Sequence, residues 1–169
     1  MKLDDNVGTC FELSIAGYQF DDTGQKLSPF DGFNWLMVKG KIVRPEKSWT
    51  FLDPCLTTTE LRTLAHWFKK ISESPAPRVI SFMEPNLRFR FDRIPIKSPG
   101  SPTGSPIESR ISGMIHVIFT FTRAHHPGPK HTFPGFDELT FPILYNDPAT
   151  IAAEMFGLAS RFPPRRPAS

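Results

Sequence analysis

"FLDPCLTTTELRTLAHWF", residues 51–68, passes from a strand into a helix, and its middle shows where. Thr57 and Glu60 fit a capping box: the Thr57 hydroxyl accepts from the Glu60 amide while the Glu60 carboxylate reaches back to the Thr57 amide. Leu56 and Leu61 take the two positions of a hydrophobic staple around that start. Leu61, Leu64, Ala65, Phe68 and Ile71 then recur at three- and four-residue steps, giving one apolar stripe. Lys69 and Lys70 suit the negative end of the helix dipole, and Pro75 and Pro77 stop the helix.

On the N-terminal side, "SWTFLD" (48–53) completes a hairpin with "NWLMVKGKIVRP" (34–45). Before it, "CFELSIAGY" (10–18) places Phe11, Leu13 and Ile15 on one face of a strand, and residues 21–33 form a polar, turn-rich loop. On the C-terminal side, residues 78–85 and 86–94 read as an antiparallel pair around a Glu84-Pro85-Asn86 corner. Leu87, Phe89 and Phe91 face one way there, and Arg88, Arg90 and Asp92 the other, as in a sheet with one wet face. The Ser/Pro/Gly-rich stretch 95–110 is expected to be a mobile loop. "GMIHVIFTFT" (113–122), apolar on both faces, is expected to be the most central strand, and "FDELTFPIL" (136–144), with Pro142, an edge strand. A second helix spans 146–162, with Asp147 as N-cap and Pro148 at its first position. The tail 163–169 is expected to fray. The order implies one α+β domain over 1–162: a mostly antiparallel, twisted β-sheet of about six to eight strands with two helices.

A chain of 169 residues, 39% hydrophobic, can bury such a core without staples. Its two cysteines, Cys10 and Cys55, are too few for a disulfide scaffold. "MKLDDNVGTC" carries two aspartates where a secretion signal would be apolar, and no segment is apolar for long enough to span a bilayer. A soluble, cytoplasmic protein is the expectation. The net charge of +3 is unevenly placed. Residues 1–31 carry Lys2 and Lys26 against Asp4, Asp5, Glu12, Asp21, Asp22 and Asp31, whereas 78–130 is basic. Without a run of basic residues, that second region reads as a solvated sheet face before it reads as a nucleic-acid site.

Asp53, Cys55 and His66 invite comparison with a nucleophile and its base. A helix start can lower a cysteine pKa. His66, however, lies nine residues beyond Thr57, roughly 13 Å along a helix rising 1.5 Å per residue. Only a distant imidazole, His116 or His131, could serve Cys55, so Cys55 reads as a small buried hydrophobe and Asp53 as a turn former before Pro54. His125, His126 and His131 lack the paired spacing of a zinc site. Arg88 and Arg90 point away from Phe89 and Phe91, so no RNA-stacking platform forms. No phosphate loop, GxSxG elbow or HExxH motif occurs. The residues suggest a binder more readily than an enzyme.

Several stretches resemble the WapI family of bacterial immunity proteins: "GYQF" (17–20), "NWLMV" (34–38), "SWTFLDPCLTTTEL" (48–61), "LAHWFKKI" (64–71), "FMEPNLRFRF" (82–91) and "FP" (141–142). The resemblance runs to about residue 160. It implies a non-enzymatic, cytoplasmic protein that uses no cofactor and neutralises the C-terminal domain of a polymorphic, contact-dependent toxin. A monomer or homodimer is expected, with no membrane partner and with nucleic acid disfavoured by the residue pattern above. The motif residues Trp49, Phe51 and Leu56 are expected to serve the core, and Asp53 and Asn86 to satisfy backbone groups at turns. Contact with the toxin is expected on loops, with Asp21, Asp22 and Asp31 as the candidates. The alternatives are a small cysteine-dependent enzyme or ligand binder using Cys55, and a nucleic-acid-binding module using Arg88, Arg90 and Arg93. A basic pI of 9.0 sits poorly with inhibition of a cationic nuclease by opposite charge.

Overall fold

Four strands and a helix, then four strands and a helix, succeed one another in the computed structural model, which describes residues 1–20, 34–73, 78–94, 112–120 and 138–165. The first half comprises β1 (Lys2–Asp4), β2 (Cys10–Tyr18), β3 (Trp35–Arg44), β4 (Lys47–Thr57) and α1 (Thr58–Glu73). The second comprises β5 (Val79–Ser81), β6 (Leu87–Arg93), β7 (Gly113–Phe119), β8 (Glu138–Pro142), a 3-10 turn (Ile143–Tyr145) and α2 (Pro148–Arg161). Each set of strands is an antiparallel meander, in the orders β1-β2-β3-β4 and β5-β6-β7-β8. The fold is α+β, with its eight strands divided between two sheets. β7 lies inside its sheet and β8 at an edge, as the sequence implied. β1 is too short to show an alternation, and sequence patterning misses it.

Aromatic rings join the halves. Phe11, Trp49 and Phe51 of the first sheet meet Phe119 of the second edge-on, with ring centroids 5.6, 6.4 and 6.3 Å apart. On α1, Trp67 and Phe68 lie 6.2 and 6.0 Å from Phe89 of β6. Trp67 falls outside the expected stripe, yet it is buried because α1 is covered by α2 as well as by the second sheet. Phe51 lies flat across Gly40 on β3, where an added Cβ would come within 2.0 Å of its ring. Only glycine leaves that ring its place.

Two bulges redirect side chains. In β4 the pairing passes from Val38–Asp53 to Leu36–Leu56, so β4 carries an extra residue around Pro54. The strand expected to stop at Asp53 therefore runs on to Thr57, and Asp53 is no turn former. Pro54 is tolerated because β4 is an edge strand and the residue sits in a bulge. In β2 the pairing passes from Ile15–Val38 to Gly17–Met37. Tyr18 then stands opposite the buried Leu36 and turns to the core side, where its ring meets Phe162 at 5.6 Å. Within the tail expected to fray, Pro163 and Arg165 are hydrogen-bonded to Tyr18 and Asn34, while 166–169 lie outside the described residues.

Candidate functional site

The capping box at the start of α1 forms as read. The Thr57 amide donates to Glu60 Oε2 at 2.8 Å, and the Glu60 amide donates to Thr57 Oγ1 at 3.2 Å. Glu60 also does something that local sequence cannot reveal: its other oxygen, Oε1, accepts from the Met83 amide at 2.6 Å. One carboxylate thus starts a helix in the first half and holds the β5–β6 corner of the second.

Asp53 reaches the same corner. Cross-strand partners point to the same side, so Asp53, opposite the buried Val38, faces inward. There Asn86 Nδ2 donates to Asp53 Oδ2 at 3.0 Å. The expectation that each satisfies a backbone group is corrected, since their side chains satisfy one another across the two halves. The Asn86 and Pro85 carbonyls accept from the Thr120 amide and hydroxyl. The two longest motif stretches, 48–61 and 82–91, are therefore the two sides of one seam.

Cys55 is fully buried beside that seam. Burial pushes its thiol well above the ordinary cysteine value, with the Asp53 carboxylate adding in the same direction. A thiolate nucleophile is thereby disfavoured. His66 is exposed on the far side of α1, with its ring edge-on to Phe156 of α2 at 4.8 Å. Asp53, Cys55 and His66 are not a catalytic group.

The outer face of the second sheet carries a charged network. Register places Arg90, His116 and Thr140 side by side across β6, β7 and β8. Arg90 forks between Asp92 Oδ2, 3.1 Å from Nε, and Glu138 Oε1, 3.0 Å from Nη2. His116 is 9% exposed beneath them. Its Nδ1 bonds Glu138, while Nε2 lies 3.2 Å from Asp92 Oδ2 without hydrogen-bond alignment. Sequence alternation put Arg90 and Asp92 on one face, but His116 and Glu138 join them only through strand register. Arg90 is thus engaged by two carboxylates rather than offered to phosphate, and Phe89 and Phe91 are buried on the opposite face. The nucleic-acid alternative loses its central residue.

Asp21, Asp22 and Asp31 lie outside the described residues, as do His125, His126, His131 and the Ser/Pro/Gly stretch. Their flanks, Phe20 and Asn34, are described. Among the described residues no group of His, Cys, Asp and Glu could hold a metal ion, and no helix is long and apolar enough to cross a membrane.

Comparison with known families agrees with the motif resemblance. Residues 2–163 match the model of the immunity protein WapI-like family. The match spans both meanders and both helices, and the chain belongs to that family of immunity proteins. No curated protein matches the chain, and no solved structure does.

Proposed function

We propose that this protein binds a cognate toxin domain stoichiometrically in the cytoplasm of the cell that makes it, and protects that cell by occlusion rather than by catalysis. The family match over 2–163 carries this reading. The burial of Cys55 supports it, because the residue most like a nucleophile is sealed off. The acidic residues Asp21, Asp22 and Asp31 make the contact and steer encounter by charge. A toxin surface complementary to them is basic there, whatever the toxin acts on.

Co-expression with the toxin C-terminal domain encoded beside this gene is the test. Growth is restored if the reading holds; undiminished killing rejects it. Charge reversal at Asp21, Asp22 and Asp31 together should slow association by about tenfold or more at low salt and leave dissociation nearly unchanged. The rival enzyme is separated by thiol labelling, since Cys55 should stay unmodified until the chain unfolds.

A further inference from the structure

Tyr18, Phe20 and Asn34, the described residues flanking 21–33, share a partner far along the chain. Asn34 presents its carboxamide to a peptide unit as a strand would: Arg165 N donates to Asn34 Oδ1 at 2.8 Å, and Asn34 Nδ2 donates to Arg165 O at 3.5 Å. The Arg165 guanidinium lies 3.5 Å from the centroid of the Tyr18 ring, and its Nη1 donates to the Phe20 carbonyl at 2.9 Å. The Tyr18 hydroxyl donates to the Pro163 carbonyl at 2.6 Å. Between the two flanks, the Gln19 amide donates to the Trp35 carbonyl at 2.8 Å. Every side-chain contact here spans 131 residues or more, so the arrangement is tertiary and not a local turn.

We infer that Pro163–Arg165 is a built-in clasp and Arg165 its positioning residue, tying Phe20 to Asn34 and so setting the two points from which 21–33 departs and returns. The β2 bulge makes this feasible, because it turns Tyr18 toward Phe162 and the segment that follows. A planar guanidinium can stack on a ring face and donate in its own plane at once; an ammonium cannot. The consequence for binding rests on the proposed immunity function: Arg165 acts on toxin association through Tyr18, Phe20 and Asn34, which it holds and which then have less conformational freedom to lose on binding.

Hydrogen–deuterium exchange on the intact chain tests the clasp. Arg165→Ala should speed exchange at Gln19 by about tenfold, the sum of a lost cation–π contact and the lost hydrogen bond to the Phe20 carbonyl, with α1 amides unchanged. A chain ending at Phe162, which also loses the Pro163 and Arg165 backbone partners of Tyr18 and Asn34, should speed exchange at Gln19 at least as much, and Arg165→Lys should restore it only in part. Unchanged exchange at Gln19, or equal acceleration across α1, overturns the clasp. Toxin binding is then measured by surface plasmon resonance with the domain encoded beside the gene. Slower association by Arg165→Ala supports the positioning role, and unaltered kinetics overturns it. If the intact chain captures no toxin domain, the immunity reading fails instead, and exchange still decides the clasp.

Discussion

Both halves of this chain follow one plan, an antiparallel meander and then a helix, but they use their polar side chains differently. In the first half the helix cap and its neighbour are shared: Glu60 holds the Met83 amide and Asp53 holds Asn86. In the second half the cap is private. Asp147 accepts from its own first turn, the Ala149 and Thr150 amides at 3.2 and 3.1 Å and the Thr150 hydroxyl, and the ion pairs of Arg90 face solvent. The link to the first half is made beside the cap by Asn146, which exchanges hydrogen bonds with the Asp4 backbone of β1. A polar group shared between two elements is costly to lose because both elements feel it, whereas a private one is replaced by water. The two longest motif stretches, 48–61 and 82–91, contain the shared pairs Glu60–Met83 and Asp53–Asn86.

Removing the aromatic link between halves should have the largest effect. Phe119→Ala leaves a hole facing Phe11, Trp49 and Phe51 and should cost about 3–5 kcal/mol in urea unfolding. A loss below about 1 kcal/mol would mean that the halves do not depend on that contact.

Glu60→Ala comes next. It removes a cap and the Met83 bond together, and should cost about 2 kcal/mol, near 1 from each. Glu60→Gln keeps one acceptor oxygen and should recover about half of that. If Glu60→Ala were no worse than Asp147→Ala, the distinction between shared and private caps would break.

Asp147→Ala should cost about 1 kcal/mol at neutral pH. The Thr150 hydroxyl, and then the Thr150 and Ala149 amides, hold the Asp147 carboxyl below its ordinary value. A depressed folded-state value means stabilisation that is present above the unfolded pKa of about 3.9 and lost as pH falls through the folded one. The stability difference between wild type and Asp147→Ala should therefore shrink on acidification below that range. Constant separation of the two unfolding curves would rule the mechanism out.

Glu138→Gln should have the smallest effect. Although it removes one of the two carboxylates on Arg90 and the partner of His116 Nδ1, the network is partly solvated and should lose about 1 kcal/mol or less, falling further in high salt. A larger, salt-independent loss would place this face with the buried seam rather than with the surface.

The start of α1 was legible because its determinants lie within three residues: Thr57 and Glu60 close a hydrogen-bonded ring that no distant part of the chain need complete. The faces of β6 were legible for a similar reason, since side chains in a strand alternate whatever the strand pairs with, and Leu87, Phe89 and Phe91 are indeed the buried ones. The burial of Cys55 agrees with its reading as a small hydrophobe, which rested on the lack of a histidine base within reach along α1. Other features required the assembled sheets. The bulges near Ala16 and Pro54, which aim Tyr18 at the tail and let Asp53 reach Asn86, arise from how many residues each strand places opposite its partner. The meeting of Arg90, His116 and Glu138 depends on strand register in the same way. Spacing along one strand carries no information about the offset of its neighbour, so these contacts were decided only when packing chose that offset.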